Sequence, residues 1–199
     1  VSLIVFGLVI AIGLIADIDR WVLEETCRTV GAWGADADRI FVGVNCSDQA
    51  FLRPSLAEET RAAVDAAGLA PGCVVLELTE RAFVDTDAAR GALDALRARG
   101  LQLSVDDFGA GYSSLGMLAA LPVDGLKIDR SFVGDLETSR EARAVVRAVI
   151  RLSDDLGLQA IAEGVETPAQ LRSLRDAGAR LAQGYLFARP VPPEEARAM

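Results

Sequence analysis

The fold is decided by residues 73–107, which read CVVLELTERAFVDTDAARGALDALRARGLQLSVDD. Two short apolar runs, 73–79 and 101–106, have the length and composition of buried strands. Between them, 86–99 is rich in alanine, leucine and arginine at helical spacing, and Gly100 follows as a stop signal. A strand, a helix and a second strand in this order predict two parallel strands joined by a covering helix.

The same alternation extends along the chain in both directions. Further strands are expected at 40–46, 124–129, 158–163 and 180–186, and further helices at 18–32, 54–68, 138–157 and 167–177. Each predicted strand ends on a polar residue, and these residues recur about every 28 positions, close to the roughly 31 of one unit in an eight-fold barrel. The pattern predicts an α/β fold of the (β/α)8 TIM-barrel type whose first two strands are missing or altered. A doubly wound open sheet is the alternative.

Composition and charge limit the classes of function. The 199 residues are 51% hydrophobic and 25% charged, which is ordinary for one soluble globular domain. Twenty basic and 29 acidic residues give a net charge of −9, so we expect no non-specific binding of nucleic acid. The absence of histidine excludes Ser-His-Asp and Cys-His hydrolases and His-ligated zinc. The cysteines are expected to be reduced core residues: Cys27, Cys46 and Cys73.

The chain begins with an uncharged stretch, VSLIVFGLVIAIGLIA, at residues 1–16. It is shorter than the about 20 apolar residues of a membrane-spanning helix, and it lacks the basic start of a signal peptide. We therefore expect an apolar segment at 1–12 that packs on the core, followed by one barrel domain at 13–199. The alternatives are a truncated membrane anchor, with membrane contact through 1–16, and a processed targeting segment. The expected location is the cytoplasm, either as a free domain or as the cytoplasmic domain of a membrane-anchored protein.

Polar side chains close the predicted strands, and in a parallel barrel these strand ends share the face where active sites form. The residues brought together in this way are Asn45, Glu77, Asp106, Asp107, Lys127, Glu163 and Gln183. The four carboxylates among them would repel one another unless they are protonated or bind cations. Oxygen ligands without histidine or cysteine favour Mg²⁺ or Mn²⁺, and two such ions about 3.5–4 Å apart are the usual arrangement for phosphodiester hydrolysis.

Taken singly, several of these residues have an ordinary structural explanation. Asn45 is also consistent with a turn, and Glu77 and Glu80 with solvated acids near a helix start. The Asp106-Asp107 pair closes an apolar strand and precedes two glycines, which is typical of a site loop. Lys127 lies inside a strand pattern and needs an acidic partner, a phosphate or an attacking water.

Six segments in order resemble the EAL-domain cyclic di-GMP phosphodiesterases of bacteria. They are VNCS (44–47), LELTE (76–80), VDDFGAGYSSL (105–115), LPVDGLKID (121–129), AEGVET (162–167) and QGYLFARP (183–190). The resemblance extends from about Gly13 to Met199. It implies a (β/α)8-type barrel and a hydrolase of signal transduction that cleaves the second messenger cyclic di-GMP to linear pGpG, with two Mg²⁺ or Mn²⁺ ions.

The resemblance also implies a role for each matching residue. The metal ligands are Asn45, Glu77, Asp106, Asp107 and Glu163, with Asp106 between the two ions. Lys127, Asp107 and Glu163 are the implied catalytic residues, and Lys127 contacts the attacking water. Gln183 is placed near the substrate. Glu80 is expected to steady the loop 107–115, which the family links to the formation of a homodimer.

One motif of the family is absent from this sequence. The tripeptide Glu-Ala-Leu, whose glutamate is a metal ligand in the family, occurs nowhere in the 199 residues. Residues 1–12 then replace the missing part, upstream sequence supplies it, or the domain is a remnant with an incomplete site. Two functions follow: an active phosphodiesterase, or an inactive EAL-like module that senses cyclic di-GMP or binds another protein.

Overall fold

The computed structural model describes residues 14–83, 86–109 and 115–199. The predictions for segment 1–12 and for most of the loop 107–115 lie outside these residues, and the domain boundary at residue 13 stays a prediction. Within the described ranges, no helix combines the length and the apolar character needed to cross a membrane. The chain divides into two compact units, Val1–Gln102 and Leu103–Met199.

The first unit contains strands β1 (Val42–Asn45) and β2 (Val74–Thr79). They pair in parallel, with Val42 opposite Val74 and Asn45 opposite Glu77. The helices described in this unit are α1 (Ile15–Gly31), α2 (Asp48–Phe51), α3 (Leu56–Ala66) and α4 (Thr86–Arg97). Short 3₁₀ turns span Gly34–Arg39, Pro71–Cys73 and Glu80–Phe83.

The core of the first unit follows from the spacing of apolar residues. Leu23, Cys27 and Val30 are buried on one face of α1, as the helical period requires. Burial alternates along β2, so that one face packs on the core while Glu77 belongs to the other, half-buried face. Helix α1 ends against the end of α3, where a Cβ on Gly31 would lie 2.5 Å from the carbonyl oxygen of Ala67.

The second unit contains β3 (Gln102–Phe108), β4 (Gly125–Ile128), β5 (Gln159–Ala162) and β6 (Leu181–Ala182). These strands pair in parallel in chain order, and all four residues of β4 are buried. The helices described here are α5 (Leu115–Ala120), α6 (Arg130–Gly134), α7 (Arg140–Leu156), α8 (Pro168–Asp176) and α9 (Pro193–Arg197), and a 3₁₀ turn spans Asp135–Glu137.

Local signals set the ends of the two long helices. The Ser139 hydroxyl accepts a hydrogen bond from the Ala142 amide at the start of α7, and Gly157 ends this helix with a φ of 72°. Helix α8 begins with a capping box in which Thr167 and Gln170 satisfy each other's backbone amides. These caps fix where the chain leaves and re-enters the strands that carry site residues.

The predicted alternation of strands and helices is confirmed. Each of the six expected strands and five expected helices is present, although β6 has only two residues where 180–186 was expected. The short helices α2, α5, α6 and α9 were not predicted. Within each unit, strands that follow one another in sequence are neighbours, which is typical of a (β/α) barrel and not of a doubly wound sheet with reversed strand order. All three cysteines are buried and free, as expected.

Candidate active site

Three predicted site residues of the second unit meet at the carboxyl ends of β3, β4 and β5. The Lys127 Nζ atom lies 3.0 Å from Oδ1 of Asp106 and 2.7 Å from Oε1 of Glu163. Asp106 is near the end of β3, and Glu163 follows β5 directly, with its amide donating to the carbonyl of Ile128 in β4. Because parallel strands end at one edge of the sheet, residues far apart in sequence become neighbours here.

The ion pairs of Lys127 are buried. The side chain of Lys127 is 6% exposed, and those of Asp106 and Glu163 are 13% and 15% exposed. Removing a lysine from water is costly unless carboxylates compensate the charge, and here two carboxylates do so. One ammonium group between two carboxylates still leaves an excess of negative charge at this position.

Asp107 adds a third carboxylate on a distorted backbone. Among the described residues it is the one non-glycine residue with a positive φ, at 51°, and the register of β3 against β4 shifts between Val105 and Phe108. Such a conformation costs energy on the order of 1 kcal/mol, and an observed outlier of this kind is a reason to suspect function. Burial raises the pKa of Asp107, and the negative charges of Asp106 and Asp129 raise it further.

The three acids form a cluster whose chemistry suits a hard cation. Oxygen atoms of Asp106, Asp107 and Glu163 all lie within 4.8 Å of one another. The donors are carboxylates, the local charge is negative, and the cluster faces the end of the sheet. These properties fit Mg²⁺, Mn²⁺ or Ca²⁺ and do not fit a soft metal that requires sulfur.

Gln183 joins this cluster from the strand end that follows β6. Its Nε2 donates to Oε1 of Glu163, and its backbone amide donates to the carbonyl of Ala162. An open pocket of about 430 Å³ begins beside these two side chains and is also lined by Arg130, Tyr185 and Arg189. The Arg189 guanidinium lies 4.8 Å from the centre of the Tyr185 ring. An aromatic ring and two guanidinium groups suit an anionic ligand that carries flat rings.

The predicted residues of the first unit lie on β1 and β2. Asn45 and Glu77 are direct partners in the register, and Asn45 is exposed. The Glu77 carboxylate lies over Gly43, where an added Cβ would collide with it. Glu80 begins the 3₁₀ turn that follows β2. Its expected role toward the loop 107–115 stays a prediction, because most of that loop lies outside the described residues.

Two features of the site were missed in the sequence. Gly43 accommodates Glu77, and a glycine inside a predicted strand is the signal that could have indicated a close approach. Asp129 lies two residues after Lys127, and its side chain is hydrogen-bonded to Asp107 and accepts from the Ser131 amide at 2.8 Å. Burial raises the pKa of Asp129, but the hydrogen bonds outweigh this effect and place the pKa below its ordinary value. The spacing of two residues between Lys127 and Asp129 is that of residues on one face of a strand, and this signal could have identified Asp129.

Known proteins resemble this chain in sequence. The family profile described as the EAL domain matches residues 5–190. The cyclic di-GMP phosphodiesterase NbdA of Pseudomonas aeruginosa is 45% identical over 188 residues, which are 94% of this chain and 24% of NbdA. This chain spans about a quarter of the length of such curated relatives.

Solved structures show the same likeness. The PaMucR phosphodiesterase in complex with c-di-GMP matches with a TM-score of 0.89 and 40% identity, over 96% of this chain and 78% of that chain. BlrP1 of Klebsiella pneumoniae, solved with manganese and cyclic di-GMP, matches with a TM-score of 0.82 and 34% identity, over 88% of this chain and 45% of that chain.

Proposed function

The chain belongs to the EAL domain family, and from that premise we propose that it hydrolyses cyclic di-GMP to linear pGpG. Membership of the family and its barrel-type fold confirm two of the predictions from sequence. One observation carries the catalytic proposal: a buried lysine, Lys127, lies between Asp106 and Glu163 beside the cluster that suits a cation. The phosphodiesterase names of the relatives support the same reaction.

We assign the metal-ligand role to five residues, of which Asn45 and Glu77 lie in the first unit and Asp106, Asp107 and Glu163 in the second. The oxygen donors favour Mg²⁺ or Mn²⁺, and the structures of BlrP1 with manganese and with calcium support a hard cation. When bound, ions of this kind polarise a phosphoryl oxygen and lower the pKa of water.

The protein's own groups then orient the reactants. Asp106 and Glu163 hold the Lys127 ammonium at a fixed point, where we assign it a contact with the attacking water. Asp107 and Glu163 are the other two residues to which we assign a catalytic role. Since the ammonium is desolvated, its positive charge acts on nearby negative charge more strongly than it would in water.

Gln183 and its adjoining pocket provide the proposed substrate contacts. The Gln183 amide lies beside Glu163, and the pocket offers the Tyr185 ring for stacking and the Arg189 guanidinium for stacking or phosphate pairing. We assign to Glu80 the role of steadying the loop 107–115. This loop is in turn expected to support a homodimer. Homodimer formation and cytoplasmic location stay predictions.

Turnover of cyclic di-GMP tests the proposal. The purified 199-residue chain is incubated with cyclic di-GMP and Mg²⁺ or Mn²⁺, and chromatography follows the linear dinucleotide. We expect product that disappears in Asp106→Ala. A folded chain that forms no product with either metal contradicts the proposal for this chain.

One further candidate function, predicted from the sequence, is a module that senses cyclic di-GMP without cleaving it; it applies if the whole protein, like these 199 residues, carries no Glu-Ala-Leu glutamate. Loss of one ligand carboxylate weakens catalysis more than it weakens contacts with distant parts of the nucleotide. Calorimetry with cyclic di-GMP beside the turnover assay separates the two functions. Binding without product supports the sensor, and product formation rejects it.

A further inference from the structure

The turn that follows β1 is held from outside the sheet. The backbone amide of Ser47 donates to Oδ2 of Asp19 at 3.0 Å, although Asp19 lies 28 residues earlier, on α1. The Ser47 hydroxyl in turn accepts from the Ala50 amide at 3.2 Å and begins α2. The backbone amide of Ser47 is therefore bonded to α1, and its hydroxyl is bonded to α2.

This turn begins directly after Asn45. On the strand side, Asn45 is paired with Glu77, and the amide of Cys46 donates to the carbonyl of Glu77 at 2.9 Å. On the other side, the backbone amide of Ser47 donates to the side chain of Asp19. The exposed side chain of Asn45 lies between these two constraints, so its direction depends on both.

Helix α1 is a firm support for such a tie. Its buried face anchors it in the core of the first unit, and one residue after Asp19 the Nε of Arg20 lies 3.5 Å from Glu59 of α3. Glu59 also pairs with Arg53 at 3.0 Å, in the connection between α2 and α3. These ion pairs link α1, α3 and the connection between α2 and α3 in one network. Asp19 extends from α1 to the turn after β1.

We propose that Asp19 is a positioning residue, which fixes the turn after β1 and thereby directs Asn45 as a metal ligand. The inference rests on the proposed metal-ligand role of Asn45. The bond joins a carboxylate to a backbone amide, a class of hydrogen bond stronger than one between neutral groups. Ser47 is only half-buried, so its amide can bind water when Asp19 is replaced, and the fold survives while the turn loses its single conformation.

Two measurements on the whole chain test this role. Hydrogen exchange of the Ser47 amide reports the turn in the metal-free protein, and electron paramagnetic resonance titration gives the affinity for Mn²⁺. For Asp19→Ala we expect exchange at Ser47 to become at least about tenfold faster and Mn²⁺ affinity to fall about five- to twentyfold, for the loss of a bond to a charged group. Asp19→Asn keeps an acceptor oxygen and is expected to restore both values to within about threefold.

Asp17 offers a matched control on the same helix. Its carboxylate is largely exposed and lies 3.6 Å from Arg20, and Asp17→Ala removes one negative charge from α1 while it keeps the bond between Asp19 and Ser47. We expect wild-type exchange and affinity for this variant. An equal loss of Mn²⁺ affinity in both alanine variants overturns the inference, because the effect is then one of net charge.

The remaining outcomes are also decisive. Faster exchange at Ser47 with unchanged Mn²⁺ affinity overturns the positioning role and leaves Asp19 as a structural residue. If Asp19→Ala does not fold, Asp19→Gln keeps a polar side chain but moves its oxygen by one bond, and the same two losses are expected.

Asn45→Ala separates the two proposals. If it leaves Mn²⁺ affinity unchanged, the assigned ligand role itself fails, whereas a loss there without a loss in Asp19→Ala rejects only the inference.

Discussion

Lys127 and Glu163 form a buried ion pair in which Nζ lies 2.7 Å from Oε1. The same ammonium reaches Asp106 at 3.0 Å, so one lysine neutralises part of the charge of a cluster that also contains Asp107. A divalent cation at this cluster would compensate the same carboxylates. The lysine and the cation therefore act on the same excess of negative charge, which makes the thermal stability of lysine variants sensitive to metal.

Replacing Lys127 by methionine is expected to destabilise the metal-free protein. Removal of one partner of a buried ion pair leaves uncompensated charge and costs about 3–5 kcal/mol. Mn²⁺ should raise the melting temperature of Lys127→Met more than that of the wild type, because the cation replaces the missing positive charge. Circular dichroism melts with and without Mn²⁺ measure both effects.

Arg172→Met on the exposed surface of α8 is the control, with an expected change within about 0.5 kcal/mol and a wild-type response to Mn²⁺. If Mn²⁺ raises the melting temperatures of Lys127→Met and of the wild type equally, the lysine and the cation do not compensate the same negative charge.

Gly43→Ala is expected to displace the Glu77 carboxylate with little loss of stability. The added Cβ collides with the end of a flexible side chain and not with backbone, so Glu77 can rotate away. We expect at least about a tenfold loss of turnover or of Mn²⁺ affinity, as for the loss of about 1.4 kcal/mol of interaction. Calorimetric titration with Mn²⁺ and a thermal melt give the two values.

Gly91→Ala provides the comparison, since a Cβ at this position of α4 meets no atom within 4 Å. It should keep full metal affinity and gain up to about 1 kcal/mol from better helix propensity. Wild-type Mn²⁺ affinity in Gly43→Ala rules out a ligand role for Glu77 in its present position.

Gly164 and Gly157 have nearly the same backbone, with φ of 71° and 72°, but different surroundings. A Cβ on Gly164 would lie 2.7 Å from Cβ of Arg130, whereas one on Gly157 meets nothing within 4 Å. Alanine at either position pays a strain of about 1 kcal/mol. Only Gly164→Ala also disturbs the segment after Glu163, so we expect it to lose more stability in urea unfolding and to lose turnover. Equal effects on turnover in the two variants contradict this local explanation.

The sequence predicts the strands because apolar runs and their polar ends are local features. It also predicts that Asp106, Lys127, Glu163 and Gln183 of the second unit gather, since parallel strands align their carboxyl ends. What it misses depends on contacts between distant residues. Strand β6 has only two residues, and just beyond it Gly184 lies so close to the backbone of Val165 that a Cβ would collide with it. The positive φ of Asp107 and its bond to Asp129 likewise depend on how β3 meets β4, which no local pattern encodes.

Cys27 makes the stability of the protein depend on alkaline pH. Burial raises the pKa of its thiol to about 11, and the neighbouring Cys73 adds to the effect. The unfolded chain loses this proton near the ordinary thiol pKa of about 8.5. Between these values the folded protein holds a proton that the unfolded chain has released, so the free energy of unfolding falls as the pH rises.

The contribution of Cys27 is therefore fully present below about pH 8.5 and is lost by about pH 11, with a total on the order of 3 kcal/mol. Urea unfolding at pH 8, 9 and 10 measures the slope, and Cys27→Ala serves as the reference because its other titrating groups are the same. We expect the wild type to lose stability more steeply than the variant across this range, and the thiol of the folded wild type to resist iodoacetamide at pH 8. Parallel curves for the two proteins contradict the raised pKa, because the thiol then ionises alike in the folded and unfolded chains.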